Sequence, residues 1–349
     1  MCGIFGYIGQ SDASSIIHKG LKRLEYRGYD SWGISIIKDG EIKTIKDIGH
    51  LPEKIKKKEL FSNIGIGHTR WATHGGITVT NAHPHFSKDK SFVIAQNGIV
   101  ENYLLLKGRL ESKGYTFETE VDTEVIVKLA EDGIKKGQGV KEALINAFKK
   151  LDGRNTIVLL DLKNQKIYSI RNGSPLILGV KDDEIFLASD PLAFNQFTKD
   201  IVEINNGELV EIEKGNFKIY DIERCKYIDR KKRREKLLNI DVDKGKYDHF
   251  MIKEIVQQQH TILRATEYTE KELAPLIERL EKARTVYTIG AGTSGFAADQ
   301  IAYYLRKISL KNTFSIKSYE TESYLDIMKK GDVVIALSQS GETADTIEA

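Results

Sequence analysis

The chain has 349 residues and a mass of 39.4 kDa, with 40% hydrophobic and 30% charged residues, which suits a globular protein of two domains with a sizeable core. A formal charge of only +3 argues against a nucleic-acid partner, and no apolar run is long enough to span a membrane. No basic segment precedes an apolar one at the N-terminus, so it does not read as a signal peptide, and two cysteines, Cys2 and Cys225, cannot build a disulfide framework; a reducing cytoplasm fits. Taken in chain order, residues 3–9, 31–38, 42–48, 64–71 and 91–97 predict strands bounded by Gly or Asp-Gly turns. Helical spacing appears at 12–24, 101–113 and 123–135, the last with Val125, Ile126, Leu129 and Ala130 on one face. Strands resume at 156–162, 166–170, 176–180, 184–188, 209–212 and 217–220. Many strands with a few long helices predict an α+β layered domain over residues 2–222.

Residues 223–248 change character. The basic run at 230–234 has little apolar content, and such runs are usually solvated, so the segment reads as a linker. From 249 to 349 the pattern becomes helices at 250–265 and 270–283, strand 285–290, helix 295–307, strand 314–318, helix 321–328 and strand 332–338. Strand-helix alternation predicts a parallel α/β sheet, and the chain reaches Ala349 inside an expected helix. That reads as an incomplete doubly wound domain, a piece of a longer chain or one half completed by another chain.

Cys2 carries the first chemical signal. If Met1 is trimmed, one residue bears both a thiol and a free α-amine, with reference pKa values of about 8.5 and about 8. The amine can then take the thiol's proton, directly or through water, with no separate histidine base. Gly3 lets the backbone approach a bound substrate, and strand 3–9 anchors the nucleophile. Cys2 beside an initiator methionine is otherwise unremarkable by itself.

The segment Cys2-Gly-Ile-Phe-Gly6 resembles the opening of the class II, N-terminal-nucleophile, glutamine amidotransferases. Further segments match in order: Leu24-Glu-Tyr-Arg-Gly-Tyr-Asp-Ser31, His68-Thr-Arg-Trp-Ala-Thr-His-Gly75, Asn81-Ala-His-Pro-His85, Asn97-Gly-Ile-Val-Glu-Asn102 and Asp122-Thr-Glu124. The resemblance implies an αββα first domain and glutamine as a substrate. Arg70 suits the α-carboxylate of glutamine, because a guanidinium fork matches a carboxylate in two parallel hydrogen bonds. Asp122 suits the α-ammonium, with a helix N-cap as its structural alternative. Asn97 and Gly98 follow a strand end and offer a side-chain N–H and a backbone N–H, the parts of an oxyanion hole. By resemblance Thr73, His74 and Gly75 complete the pocket, while Trp71, Arg27 and His83 belong to the closing loop and its gate. Core packing is the alternative for Trp71, and a surface salt bridge for Arg27. His74, His83 and His85 lack an accompanying Cys or carboxylate cluster, so no metal is expected.

The C-terminal segment points to the acceptor. Thr288-Ile-Gly-Ala-Gly-Thr-Ser-Gly295 lies between a strand and a helix, but the next strand lacks the acidic residue of a dinucleotide site, and no cofactor is expected. Backbone N–H groups and hydroxyls at Gly292, Thr293 and Ser294 suit a phosphate. Leu337-Ser-Gln-Ser-Gly-Glu-Thr343 repeats the arrangement at the next strand end. The pair resembles a sugar isomerase (SIS) domain, and the whole chain resembles the amidotransferases that convert fructose 6-phosphate to glucosamine 6-phosphate. That resemblance implies that Ser338, Gln339, Ser340 and Thr343, with Thr293 and Ser294, hold the sugar phosphate. It also implies a homodimer through a completed SIS region. Departures from the family pattern are Gln96 before Asn97, Ile77 in the glutamine loop, Ala291 in the first phosphate loop and Gln257-Gln-Gln259. The competing reading is a regulatory sugar-phosphate-binding module with a vestigial glutaminase domain.

Overall fold

A computed structural model of the chain describes residues 2–55, 61–235, 245–339, 341 and 343–349. Two compact units emerge, Met1–Asp243 and Lys244–Ala349.

The first unit opens with β1 (Gly3–Ile8), α1 (Ala13–Leu24), β2 (Ser31–Lys38), β3 (Glu41–Ile48) and β4 (Ile64–Arg70). It continues with β5 (His85–Phe86), β6 (Phe92–Gly98), α2 (Tyr103–Glu111), α3 (Thr123–Lys135) and α4 (Val140–Phe148). Then come β7 (Asn155–Asp161), β8 (Lys166–Arg171), β9 (Ile177–Lys181), β10 (Glu184–Ala188) and β11 (Asp200–Glu203). The last strands are β12 (Glu208–Glu213), β13 (Asn216–Asp221), β14 (Lys226–Ile228) and β15 (Arg233–Arg234). They form two sheets, ordered β15-β11-β9-β10-β1-β4-β2-β3 and β14-β13-β12-β8-β7-β6-β5.

Residue alternation decides how these sheets stack. Along β1, Ile4 and Ile8 point into a core shared with Val93, Val158, Leu160 and Ile167 of the second sheet. Phe5 and Tyr7 point the other way and pack with Ile17, Leu21 and Leu24 of α1. Those α1 residues recur at helical spacing, and fully burying each stabilises the fold by roughly 1.5–3 kcal/mol. Asp12 caps α1 through the Ser14 amide at 3.2 Å. On the far side, α2, α3 and α4 cover the second sheet, with Val125, Ile126, Leu129 and Ala130 of α3 packed against Ile94, Ile157 and Leu159. The layers therefore run αββα.

Two differences from the sequence reading stand out. Helix α4 and the short strand β11 were not predicted. Residues 226–228 and 233–234, assigned to a linker, pair instead with β13 and β11 as β14 and β15. Tyr227 and Ile228 supply the alternating bulk of β14, and the Arg233 side chain reaches Glu203 of β11, so charge there serves an edge strand.

The second unit contains α5 (Phe250–Ala265), α6 (Glu270–Lys282), β16 (Val286–Gly290), α7 (Thr293–Lys307), β17 (Thr313–Lys317), β18 (Val333–Leu337) and α8 (Ala344–Glu348). Thr269 and Glu272 form a reciprocal capping box at the start of α6. The sheet is parallel, ordered β17-β16-β18, and its core centres on Tyr287, Ile289 and Ile316. The helix expected at 321–328 is instead a 3-10 segment, Ser318–Ile327. Among the described residues no helix is long and apolar enough to cross a membrane.

Candidate active site

The pairing of β1 with β4 sets Gly3 opposite Thr69, which brings the residues following β4 beside Cys2. The Cys2 Sγ accepts the Trp71 amide at 3.3 Å and lies 3.6 Å from the Trp71 carbonyl oxygen. A thiol can donate to that carbonyl, and a thiolate keeps the amide. Burial pushes the Cys2 thiol up, while the Trp71 amide and the charges of Arg70 and Arg27 pull it down.

Two glycines press the backbone together here. A Cβ on Gly3 would stand 2.6 Å from Thr69 Oγ1 and 2.8 Å from Leu24 Cβ, so packing, rather than approach to substrate, demands glycine at this position. A Cβ on Gly28 would stand 2.8 Å from both Arg70 C and Trp71 N, holding the Glu25–Arg27 turn close against that peptide.

Asn97 is the penultimate residue of β6 in the other sheet and is 2% exposed. Its Nδ2 donates to the Cys2 carbonyl at 3.0 Å, which places a carboxamide beside the nucleophile. Gly98 follows, exposed, at φ +130, where a Cβ would lie 1.8 Å from the Arg154 carbonyl oxygen. No side chain fits there.

Arg70, buried at the end of β4, donates through Nη1 to Gly76 O at 3.1 Å and through Nη2 to Gly75 O at 3.3 Å and to His74 O. Its guanidinium thus binds the 74–76 loop. The loop's far side is tied by Glu120, which accepts from Gly76 N at 3.1 Å and Asn81 Nδ2 at 2.9 Å. Asp122 accepts the Val100 amide at 2.7 Å and does not cap α3 through its side chain, so the capping alternative fails. Burial raises the Asp122 carboxyl, opposed by the Val100 amide and by His74. The Asp122 charge acts on the Arg70 guanidinium and favours its charged form.

The remaining expected residues sort by position. Thr73 and Gly75 are exposed on the loop, and the His74 ring meets Tyr103 edge-on at 5.2 Å. Trp71 is 45% exposed and edge-on to Tyr29 at 5.7 Å, which rules out plain core packing. Arg27 is buried and pairs with Asp190 at 3.3 Å, so its salt bridge is interior rather than on the surface. His83 is also buried, away from the exposed loop. It stacks on His68 at 4.3 Å between ring centroids.

Behind Asn97 lies a hydrogen-bonded group that sequence reasoning missed. His68 Nε2 sits 3.0 Å from Gln96 O and 3.1 Å from Asn97 Oδ1. The Gln96 amide donates to His83 Nδ1 at 3.3 Å, and His83 Nε2 lies 3.3 Å from Thr123 Oγ1. Thr123 donates to Gln96 Oε1, Gln96 Nε2 donates to Asn155 Oδ1, and Asn155 Nδ2 donates to Asp152 O at 3.1 Å. Burial lowers His68 to about 3 and holds His83 and His85 well below the usual histidine range, so all three are neutral. Among the described residues no group of three His, Cys, Asp or Glu converges as a metal site. A signal was present: Ile66, His68 and Arg70 share the inward face of β4, and polar residues at such positions mark a site rather than a core.

In the second unit, the loops after β16 and β18 lie at the same end of neighbouring parallel strands. Gly292 adopts φ +55 ahead of Thr293 and Ser294 in the first turn of α7. A Cβ on Gly290 would stand 2.6 Å from Ser294 O, so this turn needs glycine. In the other loop Ser338 Oγ lies 3.1 Å from Thr343 Oγ1 and accepts the Gly341 amide at 3.0 Å. Gln339 is exposed, and Ser340 lies outside the described residues.

Comparison with known proteins fits both units. Residues 68–196 match the glutamine amidotransferase domain, and residues 279–349 match the SIS domain. The whole chain is 42% identical to the glutamine–fructose-6-phosphate aminotransferase [isomerizing] of Methanococcus maripaludis, covering 60% of that protein. It is 39% identical, again over its whole length, to the enzyme of that name from Pyrococcus horikoshii, covering 59% of it. The chain therefore spans about three-fifths of the length of these curated relatives. Among solved structures, the glutamine phosphoribosylpyrophosphate amidotransferase of B. subtilis, complexed with ADP and GMP, superimposes with a TM-score of 0.55 at 28% identity, covering 63% of this chain and 49% of that one. The layered fold, the two domain matches and the full-length similarity show a chain that carries a glutamine amidotransferase domain and a SIS-domain segment in the order, and with the sequence likeness, of the glutamine–fructose-6-phosphate aminotransferases.

Proposed function

We propose that the first unit hydrolyses glutamine at Cys2, and that the ammonia serves conversion of fructose 6-phosphate to glucosamine 6-phosphate. The observation that carries the reading is the Asn97 carboxamide held beside a cysteine whose sulfur already accepts a backbone amide. After removal of Met1, the α-amine of Cys2 takes the thiol proton and the thiolate attacks the glutamine amide carbon. Negative charge develops on the amide oxygen. The second N–H of Asn97 Nδ2 and the Gly98 amide stabilise it. The ammonium of Cys2 returns a proton to the leaving nitrogen, ammonia departs, and water then cleaves the thioester to glutamate. Arg70 holds the α-carboxylate by releasing part of its grip on the 74–76 loop, and Asp122 holds the α-ammonium. Thr73, His74 and Gly75 line the pocket, with Trp71 and Arg27 around the loop and His83 buried in the group behind Asn97.

Thr293, Ser294, Ser338, Gln339, Ser340 and Thr343 hold the sugar phosphate in the same proposal. The support is the pair of hydroxyl-bearing loops at adjacent strand ends, one opening the 15-residue helix α7. Exposed apolar residues on α5 and α6, among them Ile255, Leu263 and Leu276, support a homodimer formed through this region. A cytoplasmic setting suits a catalytic thiol. The test is glutamate release by the purified chain, which Cys2→Ala should abolish. Equal release by that variant would remove the assignment.

A further inference from the structure

We infer that His68 is a positioning residue for this hydrolysis: its Nε2–H holds the Asn97 carboxamide in the orientation that turns Nδ2 toward Cys2. The inference rests on the glutamine-hydrolysis reading above.

The geometry leaves one consistent arrangement of hydrogens. Both neighbours of His68 Nε2 are carbonyl oxygens, Gln96 O at 3.0 Å and Asn97 Oδ1 at 3.1 Å, so Nε2 must carry the hydrogen. The opposite nitrogen, Nδ1, is buried without a hydrogen-bond partner, so the two oxygens alone select the tautomer. Asn97 is thereby pinned at both ends. Its Oδ1 accepts from His68, and its Nδ2 donates to Cys2 O. With the hydrogen on Nδ1 instead, the Nε2 lone pair would face Oδ1, and the carboxamide would turn over. Oδ1 would then point at the developing oxyanion and repel it.

The surroundings keep His68 as this neutral donor. It is fully buried, stacked on His83, and sits within the field of Arg70 and Lys46, all of which disfavour an imidazolium. Its second acceptor, Gln96 O, is fixed in turn. Gln96 donates its own amide to His83, and its side chain is bonded by Thr123 and Asn155. The donor group and its acceptors come from different sheets, since His68 lies on β4 and Asn97 on β6. The oxyanion donor is thus set by contact between the two layers, not by its own strand alone.

A double-mutant cycle on glutamate release by the purified chain tests this, using His68→Leu, His68→Gln, Asn97→Ala and the pair His68→Leu with Asn97→Ala. His68→Leu should lower kcat roughly 10–100-fold and change KM for glutamine less than about threefold, as loss of a transition-state contact does. His68→Gln, whose Nε2 reaches close to the position of the imidazole Nε2, should recover kcat to within roughly fivefold of the parent. In the Asn97→Ala background, His68→Leu should cost less than about twofold further. Equal loss in both backgrounds, a loss carried by KM, or no recovery with glutamine overturns the inference. If a thermal melt shows that His68→Leu does not fold, His68→Asn, whose amide stops short of Asn97, takes its place with the same expectations. A parent chain without Cys2-dependent activity overturns the hydrolysis reading and this inference together, whereas an active parent with an additive cycle overturns only this one.

Discussion

The two units build their candidate sites in opposite ways. In the first, Cys2, Arg70, Asn97 and Asp122 come from distant parts of the chain, and sheet register brings them together around buried, partnered polar groups. In the second, the hydroxyls of Thr293, Ser294, Ser338 and Thr343 sit at two neighbouring strand ends, the first two in the opening turn of α7, and none of them is fully buried. The first arrangement fixes donors before substrate arrives, as stabilisation of an oxyanion requires. The second offers backbone and hydroxyl donors to an anion, where a few groups at a helix start suffice. The cost of damage should differ accordingly.

The largest effect is expected at the oxyanion donor. Asn97→Ala should lower kcat for glutamate release by roughly 10²–10³-fold with little change in KM, measured by steady-state kinetics. Gly98→Ala should act on the fold as well. Its backbone lies at φ +130 and its Cβ would meet the Arg154 carbonyl at 1.8 Å, so a loss of about 3 kcal/mol or more is expected in urea unfolding. A similar loss is not expected at Gly207, where nothing lies within 4 Å of the added Cβ, although its φ of +77 carries a strain of roughly 1 kcal/mol.

Acid should separate the units too. His68 titrates near 3 when folded and near 6.5 in its ordinary state, so between those values the unfolded chain binds a proton that the folded chain does not. Stability from this group is present above pH 6.5 and is lost as pH falls toward 3, by about 1.4 kcal/mol per pH unit. His83 and His85 shift in the same direction. Thermal melts from pH 7 to 5 should therefore show the first unit weakening more steeply than the second, and His68→Gln should flatten that slope. The smallest effect is at the other site. Ser338→Ala should weaken fructose 6-phosphate binding about tenfold by calorimetry, through loss of the Gly341 and Thr343 contacts, and leave glutamate release unchanged.

Much of this was legible in the sequence because the signals were local. The helix at 250–265, the period-2 strands and the two hydroxyl-rich turns each announce themselves within about ten residues. The glutamine-site segments were equally visible as short motifs. What escaped was anything that depends on register across the sheets. No spacing in the chain tells that His68 would face Asn97, or that Thr123 and Asn155 would close on Gln96. Asp122 could be placed at the start of α3, but only the fold shows that its carboxylate turns to Val100. The edge strands at 226–228 and 233–234 were missed for a related reason: two or three residues carry too little periodicity to separate a strand from a charged linker.

Cys2 remains the centre of the account, and Cys225 supplies its internal control, since both thiols are free and Cys225 is the more exposed. The direct measurement is peptide mass spectrometry after treatment with a glutamine analogue that carries an electrophilic carbon in place of the amide. One adduct is expected, on an N-terminal peptide that begins at Cys2, protected by excess glutamine and accompanied by loss of glutamate release. An adduct on Cys225 alone, or full glutamate release from a chain that still carries Met1, would contradict it.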